Sequence, residues 1–212
     1  MKGSLANSIV SSRLLSRIAH AHGLEHHTTL TGFKWIARAP GLGFGYEEAI
    51  GFCPDPGNVR DKDGIATSVV AASLVAALKA QGRSVWDELE RLARLHGLHV
   101  SSPLTFRVEE IEQIASGMAR LRAQPPSVLA GSPVVEVSDL SQGYRGLPPT
   151  DGVLVLTEAG DRVIARPSGT EPKLKCYLEV ILPVAEGDPL PWEQARERLE
   201  AIKGAFAEII GL

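Results

Sequence analysis

Strand-like and helix-like segments alternate along the first hundred residues, and this alternation constrains the fold most strongly. Residues 8–12 and 24–30 have the apolar and hydroxyl-rich composition of short strands. Predicted helices at 13–22 and 85–96 each end just before a glycine, the residue best suited to terminate a helix. Strands that alternate with helices build α/β layers from βα units. We therefore predict an α/β domain at residues 1–102, with a mixed sheet and helices on both faces.

One long apolar run in this domain is predicted to be a buried helix. It extends from Ile65 to Leu78 and is followed by Lys79, which comes too early for a membrane span. Asp61 or Asp63 can cap the helix, because a short acidic side chain accepts hydrogen bonds from the free backbone amides of the first turn. The sequence therefore predicts no membrane association.

The pattern changes near residue 100, where Ser101-Ser102-Pro103 has the composition of a linker. An amphipathic helix is predicted at 108–122 and a terminal helix at 192–210, following a proline suited to the first turn. Between the helices lie short strand-like segments, at 134–137, 153–157, 162–165 and 174–181. We predict a smaller α+β domain at 103–212, with an antiparallel sheet and two helices.

Composition limits the classes of function. The 212 residues are 44% hydrophobic, which suits a globular protein, and the net charge of −3 gives no electrostatic case for nucleic-acid binding. Cys53 and Cys176 lie far apart without metal-ligand spacing, which argues against a disulfide scaffold and favours a reducing compartment. The first residues lack the apolar core of a signal peptide. We predict a cytoplasmic protein with no nucleic-acid partner.

Residues 166–173, Arg-Pro-Ser-Gly-Thr-Glu-Pro-Lys, lie between two strand-like segments and carry side chains suited to holding a phosphate group. Arg166 offers a planar set of donors, and Ser168 and Thr170 offer hydroxyls. Gly169 allows backbone N–H groups to turn toward an anion. Because a Walker-type loop leads into a helix, this is not a nucleotide site of that kind. An ordinary hairpin turn uses the same residue types, and that alternative remains open.

Glu47 and Glu48 are adjacent carboxylates in a glycine-rich, mostly apolar segment at 43–52. An unpaired buried carboxylate is costly, so one of the two is expected to be paired or to bind a ligand. A carboxylate can accept hydrogen bonds from two neighbouring sugar hydroxyls. The alternative interpretation places one acid at the surface and the other in a salt bridge.

Lys34 lies between two aromatic residues, where it either contacts a phosphate or extends to solvent while the aromatics fill the core. The segment Asp61-Lys62-Asp63-Gly64 resembles half of an acidic metal loop, although a helix cap is the simpler interpretation. Histidines at 20, 22, 26 and 27 are spaced so that neighbours point to different faces. We predict no metal site in this chain.

Four motifs in this order resemble the α-D-phosphohexomutase superfamily, the phosphoglucomutases and phosphomannomutases. They are Thr31-Gly32-Phe33-Lys34-Trp35-Ile36, Gly45-Tyr46-Glu47-Glu48-Ala49-Ile50-Gly51, Asp61-Lys62-Asp63-Gly64 and residues 166–173. The resemblance covers nearly the whole chain. Members of the superfamily have four domains around a central cleft, so the resemblance implies most of the third domain followed by the fourth.

The resemblance also implies roles for individual residues. Glu47 would accept hydrogen bonds from hexose hydroxyls, and Lys34 would contact phosphate or assist acid/base chemistry. Ala49 stands where many members have serine, so one contact to a sugar hydroxyl would be lost or made differently. The variants Gly32-Phe33-Lys34-Trp35 and Glu47-Glu48-Ala49-Ile50-Gly51 resemble the branch that contains phosphopentomutase-like enzymes, so the identity of the sugar stays open and a phosphopentomutase-type substrate is an alternative. The grip on the phosphate that is not transferred would come from Arg166, Ser168, Gly169, Thr170 and Lys173.

Two elements of the family are absent from this sequence: a Ser-His pair for the phosphoserine and a three-aspartate loop for Mg²⁺. The resemblance therefore implies the C-terminal part of a mutase, which recognises a hexose phosphate and is inactive alone. Mg²⁺ would be a cofactor of the full-length enzyme, and the N-terminal mutase domains would lie in the same or a separate chain. A stand-alone sugar-phosphate-binding module is the alternative.

Overall fold

The computed structural model describes residues 3–168 and 171–211. The described chain divides into two compact units. The first contains the residues up to Leu98 together with Pro183–Leu190. The second contains His99–Leu182 together with the residues from Pro191 onward.

The first unit is built on a four-stranded mixed sheet with helices, as predicted. The sheet order is β2-β1-β3-β4; β1 pairs in parallel with β2 and β3, and β4 pairs antiparallel with β3. The elements are β1 (Ser4–Ser8), α1 (Leu14–Ala21), β2 (His26–Thr29), α2 (Phe33–Ile36), β3 (Leu42–Glu47), β4 (Gly51–Cys53), α3 (Gly64–Ala80) and α4 (Val85–His96).

The first strand begins earlier than the predicted range of 8–12. Residues Ser4–Ser8 hydrogen-bond to strands on both sides, so the register with β2 and β3 fixes the strand there. Ile9 and Val10 are buried but lie in the turn that leads into α1. Their hydrophobic character therefore reflects burial in a turn and not strand pairing.

The helix ends follow the local sequence signals. Ser84 forms a capping box with Asp87 at the start of α4. Asp63, one of the two predicted caps, accepts a hydrogen bond from the Ala66 amide (2.9 Å) at the start of α3. These caps place both helix boundaries where the sequence predicts them.

The helix α3 is wrongly predicted to be buried. Among its large aliphatic side chains only Leu78 is buried. Ala66 and Thr67 are half-buried, and the other residues of the helix are exposed. None of the described helices is by itself long and apolar enough to cross a membrane; only α3 and α4 together reach that length and composition, and a 90° bend separates them.

The second unit contains a six-stranded sheet of order β5-β10-β9-β8-β7-β6, in which β6 through β10 form antiparallel pairs. Two helices accompany this sheet, as predicted. The elements are β5 (Leu98–Arg107), α5 (Ile111–Ala123), β6 (Val128–Leu129), β7 (Ser132–Asp139), a 3₁₀ turn (Leu140–Gln142), β8 (Val153–Thr157), β9 (Arg162–Pro167), β10 (Lys173–Leu182) and α6 (Trp192–Ile210).

The expected linker at 101–103 is instead part of β5. This strand lies at the edge of the sheet, where a proline such as Pro103 is tolerated because one side of an edge strand needs no backbone donor. The core of the unit lies between the sheet and the two helices. The helix α6 contributes one face at three- and four-residue spacing: Ala195, Leu199, Ile202, Phe206 and Ile210.

A buried polar cluster joins three strands of the second unit. The carboxylate of Glu179 in β10 lies 3.1 Å from His99 Nδ1 in β5 and 3.2 Å from a terminal nitrogen of Arg162 in β9. The side chains of Glu179 and His99 are each only 1% exposed. Burying a carboxylate is tolerated only when its oxygens have partners, so this cluster fixes the register of the three strands.

We expect Glu179→Ala to lower the free energy of unfolding by about 3–5 kcal/mol, because it leaves a buried guanidinium without its carboxylate. Glu197→Ala, on the exposed side of α6 and away from its ends, is the control and should change stability by less than about 0.5 kcal/mol. Urea unfolding monitored by circular dichroism measures both. Equal effects of the two substitutions would show that the cluster contributes little.

The turn between β3 and β4 contains a strained residue. Ile50 has φ +58° and its side chain is 86% exposed. A β-branched residue rarely adopts this left-handed conformation, which costs about 1–3 kcal/mol. Strained residues are more common at functional sites, so the backbone geometry makes this turn a candidate functional site.

We expect Ile50→Gly to raise the free energy of unfolding by about 1 kcal/mol, because relief of strain outweighs the extra chain entropy of glycine. Ala49→Gly, one position earlier and without a positive φ, should instead lower it by up to about 1 kcal/mol. Chemical denaturation of both variants measures the difference. If Ile50→Gly destabilises as much as Ala49→Gly, the turn holds no strain.

Candidate functional site

The carboxyl ends of β1 and β3 lie side by side in the first unit, because β1 pairs with β2 on one edge and β3 on the other. In open α/β sheets ligands bind at such a point, where connections leave in opposite directions. The loop after β1 and the Glu47-Glu48 turn after β3 therefore meet where a ligand site is expected.

Glu47 is buried and forms an ion pair through Oε1 with the Lys62 ammonium, whose side chain is about half exposed. Lys62 Nζ also lies 5.9 Å from the centroid of the Phe33 ring. The carboxylate accepts hydrogen bonds and the ammonium donates them, so the pair has the groups needed to contact ligand hydroxyls. The pairing also matches the alternative in which one of the two acids forms a salt bridge.

Gly51 is required next to this ion pair. A Cβ at this position would lie 2.8 Å from Glu47 Cγ and 2.9 Å from Lys62 Cε, closer than carbon atoms approach in proteins. The glycine of the motif therefore leaves the space in which Glu47 and Lys62 meet. Its presence in the sequence pattern has a packing reason independent of any ligand.

Glu48 points to a different set of partners. Its Oε2 accepts hydrogen bonds from the hydroxyls of Ser8 (3.1 Å) and Ser11 (2.9 Å), both of which are buried. The carboxylate therefore ties the loop after β1 to the turn after β3. The contact holds the turn that also contains Glu47, and the sequence did not reveal it.

Lys34 is exposed, with Nζ 5.8 Å from the centroid of the Trp35 ring. It lines a cleft of about 360 Å³ together with Ala37, Arg38, Arg60 and Asp61. Within the described residues, none of the three cations of this cleft forms an ion pair with a carboxylate. Three cations and one carboxylate give this concave surface an excess of positive charge, which favours an anionic ligand.

In the second unit the predicted phosphate loop is the end of a hairpin. Arg166 and Pro167 belong to β9 and Lys173 to β10, so the loop proper starts at Ser168, whose amide donates to the Lys173 carbonyl (2.9 Å). Gly169 and Thr170, the other two predicted phosphate ligands, lie outside the described residues. The two flanking strands are confirmed.

The hairpin register places two cations opposite each other. Arg166 pairs with Lys175 across β9 and β10, and neither has a carboxylate partner within the described ranges. Like charges directly opposite each other on two strands are destabilising. A phosphate near this pair would turn the repulsion into attraction, which favours anion binding over the alternative of an ordinary turn.

Further positive charge surrounds the loop. The ammonium group of Lys173 forms a hydrogen-bonded ion pair with Glu171. The hydrogen bond is the largest cause that lowers the pKa of Glu171, and the charges of Lys173, Arg107 and Lys175 lower it further. The last residues of β5 reach the same place, since the Val108 amide donates to the Pro172 carbonyl (3.1 Å). The sequence did not single out Arg107 and Lys175, although the alternation of β10 predicts that Lys173 and Lys175 share a face.

The acidic segment at 61–64 does not fit a metal site. Asp63 accepts from the Ala66 amide as a helix cap, and Asp61 accepts from the Lys62 amide (2.7 Å). Over residues 3–168 and 171–211, no group of three or more histidine, cysteine, aspartate or glutamate side chains could hold a metal ion. No step of a reaction is therefore assigned to a metal held by these residues.

Two models of one protein family match the chain in succession. Residues 1–95 match the α/β/α domain III of phosphoglucomutase/phosphomannomutase, and residues 105–188 match the C-terminal domain of the same family. The order of the two matches agrees with the resemblance of the four sequence motifs to the third and fourth domains.

Similar proteins carry related names. The "Probable phosphomannomutase" of Haemophilus influenzae is 42% identical over 178 residues, which are 84% of this chain and 36% of that protein. The phosphopentomutase of Mus musculus is 30% identical over 230 aligned positions, which cover 96% of this chain and 36% of that protein. The chain thus spans little more than a third of the length of these relatives.

A solved structure shares the fold. The crystal structure of the exocytosis-sensitive phosphoprotein parafusin, a phosphoglucomutase from Paramecium, superposes on all of this chain with a TM-score of 0.70 at 19% identity, over 39% of its own length. Given the succession of the two domain matches, the level of identity to the relatives and this common fold, the chain belongs to the phosphoglucomutase/phosphomannomutase family and corresponds to its domain III followed by its C-terminal domain.

Proposed function

We propose that this chain is the sugar-phosphate recognition part of an intramolecular phosphotransferase, which moves phosphate between C1 and C6 of a hexose through a bisphosphate. The observation that carries the proposal is the like-charged pair of Arg166 and Lys175 at the base of the hairpin loop. Two cations that form no ion pair among the described residues and lie at a fixed register are a reason to bind a dianion such as a phosphate monoester.

In this proposal the hairpin holds the phosphate that is not transferred. Arg166 supplies a forked pair of donors, Ser168 a hydroxyl, and Lys173 and Lys175 long-range attraction; Gly169 and Thr170 complete the loop in the sequence. The phosphate remains a fixed anchor, so the binding energy of this end of the substrate orients the sugar for reaction at the other end.

The sugar is proposed to bind at the turn after β3. Glu47 accepts hydrogen bonds from sugar hydroxyls, and Lys62 donates to the same oxygens, because its ammonium group is paired with the Glu47 carboxylate. Lys34, Arg38 and Arg60 provide a separate cationic cleft in this unit. Phosphoryl transfer develops negative charge on equatorial oxygens, which cations near the reacting group stabilise.

The chemical step is proposed to need parts that this chain does not contribute. The resemblance assigns the nucleophilic phosphoserine and the Mg²⁺ loop to N-terminal mutase domains, in the same or a separate chain. We propose that these 212 residues bind hexose phosphates but do not interconvert them alone. Cys53 and Cys176 are buried free thiols, which agrees with a reducing, cytoplasmic location. Burial raises the pKa of both thiols, to about 12 for Cys176.

Binding of glucose 1-phosphate and mannose 1-phosphate, measured by isothermal titration calorimetry, tests the recognition role. We expect Arg166→Ala to weaken the affinity at least about tenfold, which is the loss of roughly one charge-assisted hydrogen bond. Arg196→Ala, which removes an exposed arginine of α6, should leave the affinity unchanged. Thermal unfolding of each variant separates loss of binding from loss of the fold.

Three outcomes would contradict the proposal. Unchanged affinity in Arg166→Ala would remove the hairpin from the site. Turnover of glucose 1-phosphate to glucose 6-phosphate by the purified 212 residues would show that the chain is catalytic alone. Micromolar affinity with high selectivity for one sugar phosphate would favour a stand-alone binding module, since part of a divided site recovers only part of its contacts.

A further inference from the structure

The ion pair of Glu47 with Lys62 leaves one oxygen of a buried carboxylate for a ligand. Lys62 contacts Oε1, and no group in the described part of the chain donates a hydrogen bond to Oε2. Among the described residues, Oε2 is not one of the buried polar atoms that lack a partner, so it reaches solvent. A ligand that binds at this turn therefore meets an acceptor oxygen next to a lysine ammonium.

The loop that carries Lys62 is fixed on both sides of the lysine. The Asp63 amide donates to the Phe52 carbonyl in β4 (2.8 Å), and the Asp63 carboxylate caps α3. The Lys62 amide donates to the Asp61 carboxylate (2.7 Å), and the Lys62 ammonium lies 5.9 Å from the centroid of the Phe33 ring. The fold therefore sets the position of this ammonium before any ligand binds.

The ammonium of Lys62 compensates the charge of Glu47. The other acid of the turn, Glu48, is bonded to the hydroxyls of Ser8 and Ser11. An ammonium group of a ligand that approached Oε2 of Glu47 would also lie close to Lys62 Nζ, because both oxygens belong to one carboxylate. Like charges at short distance repel, whereas a neutral hydroxyl donates its hydrogen bond without that repulsion.

We propose that Lys62 determines the specificity of the sugar site. By compensating Glu47, it selects sugars whose hydroxyls contact the carboxylate, and it disfavours sugars with an ammonium group at that position. Lys62 exerts this effect through Glu47, and Gly51 leaves the space in which the two side chains meet. The inference rests on the proposed function, because it names the class of sugar that the same site accepts.

The test compares glucose 1-phosphate with its analogues that carry an amino group at C2, C3 or C4. Isothermal titration calorimetry is done below neutral pH, where the amino groups are protonated, and the common phosphate cancels in each ratio of affinities. The unsubstituted chain should prefer glucose 1-phosphate. Lys62→Met keeps most of the apolar stem but removes the charge, so the ratio should shift toward at least one amino analogue by at least about tenfold.

Two further variants separate compensation of Glu47 from other effects of the substitution. Lys79→Met removes an exposed lysine near the end of α3 and should leave every affinity ratio unchanged. Lys62→Arg keeps the positive charge and should retain the preference for glucose 1-phosphate. A lysine with a merely structural role would not make the preference depend on the charge of the ligand.

Urea unfolding tests the ion pair without any sugar. Lys62→Met leaves a buried carboxylate unpaired, so it should unfold at a lower urea concentration than the double variant Glu47→Gln/Lys62→Met. Additive effects of the two single substitutions would show that the two groups do not interact, and would overturn the proposal.

The binding results distinguish this proposal from the proposed function. If the unsubstituted chain binds glucose 1-phosphate and Lys62→Met leaves all ratios unchanged, the ion pair is structural and the specificity role is wrong, while the recognition role stands. An equal shift in Lys62→Met and Lys79→Met would also overturn the proposal, because it would reflect only the net charge. If the unsubstituted chain does not bind glucose 1-phosphate although the two residues are coupled in stability, the recognition role fails, and the specificity role fails with it.

Discussion

The opposition of Arg166 and Lys175 is the constraint on which the functional account depends. The register of β9 and β10 fixes it, and the buried Glu179 cluster, which joins β10 to β9 and β5, holds that register. The strands therefore cannot slip to separate the two cations without exposing a buried carboxylate. An anion that binds between the guanidinium and the ammonium removes this repulsion, and the relief adds to the free energy of binding.

In the first unit, backbone geometry and side-chain contacts together hold the turn between β3 and β4 in one conformation. Ile50 is held in a left-handed conformation, and Gly51 admits the contact of Glu47 with Lys62. Glu48 anchors the turn through the hydroxyls of Ser8 and Ser11. A turn that is strained yet fixed by three separate interactions is preorganised, and preorganised polar groups bind a ligand without a further ordering cost.

Sequence reasoning found what depends on local signals. The boundaries of α4 and α6 follow from a serine cap, a glycine stop and a proline at the first turn. Strand boundaries that the sequence did not predict depend on pairing between distant strands. The strand β1 begins at Ser4 because β2 and β3 pair with it there, and Pro103 lies in the edge strand β5 instead of a linker. The contacts of Glu47 with Lys62 and of Glu48 with Ser8 and Ser11 join residues that are distant in the sequence and meet only in the fold. The motif that contains Lys62 was therefore recognised, but the contact between Lys62 and Glu47 was not.

The central claim is that the hairpin binds phosphate through Arg166 and Lys175. A titration of the ¹⁵N-labelled chain with inorganic phosphate, at constant ionic strength, tests it most directly. The account predicts saturable shifts of backbone amides concentrated between Arg166 and Lys175, together with the end of β5 at Arg107. Shifts that do not saturate, or that spread evenly over other exposed arginines and lysines, would contradict it.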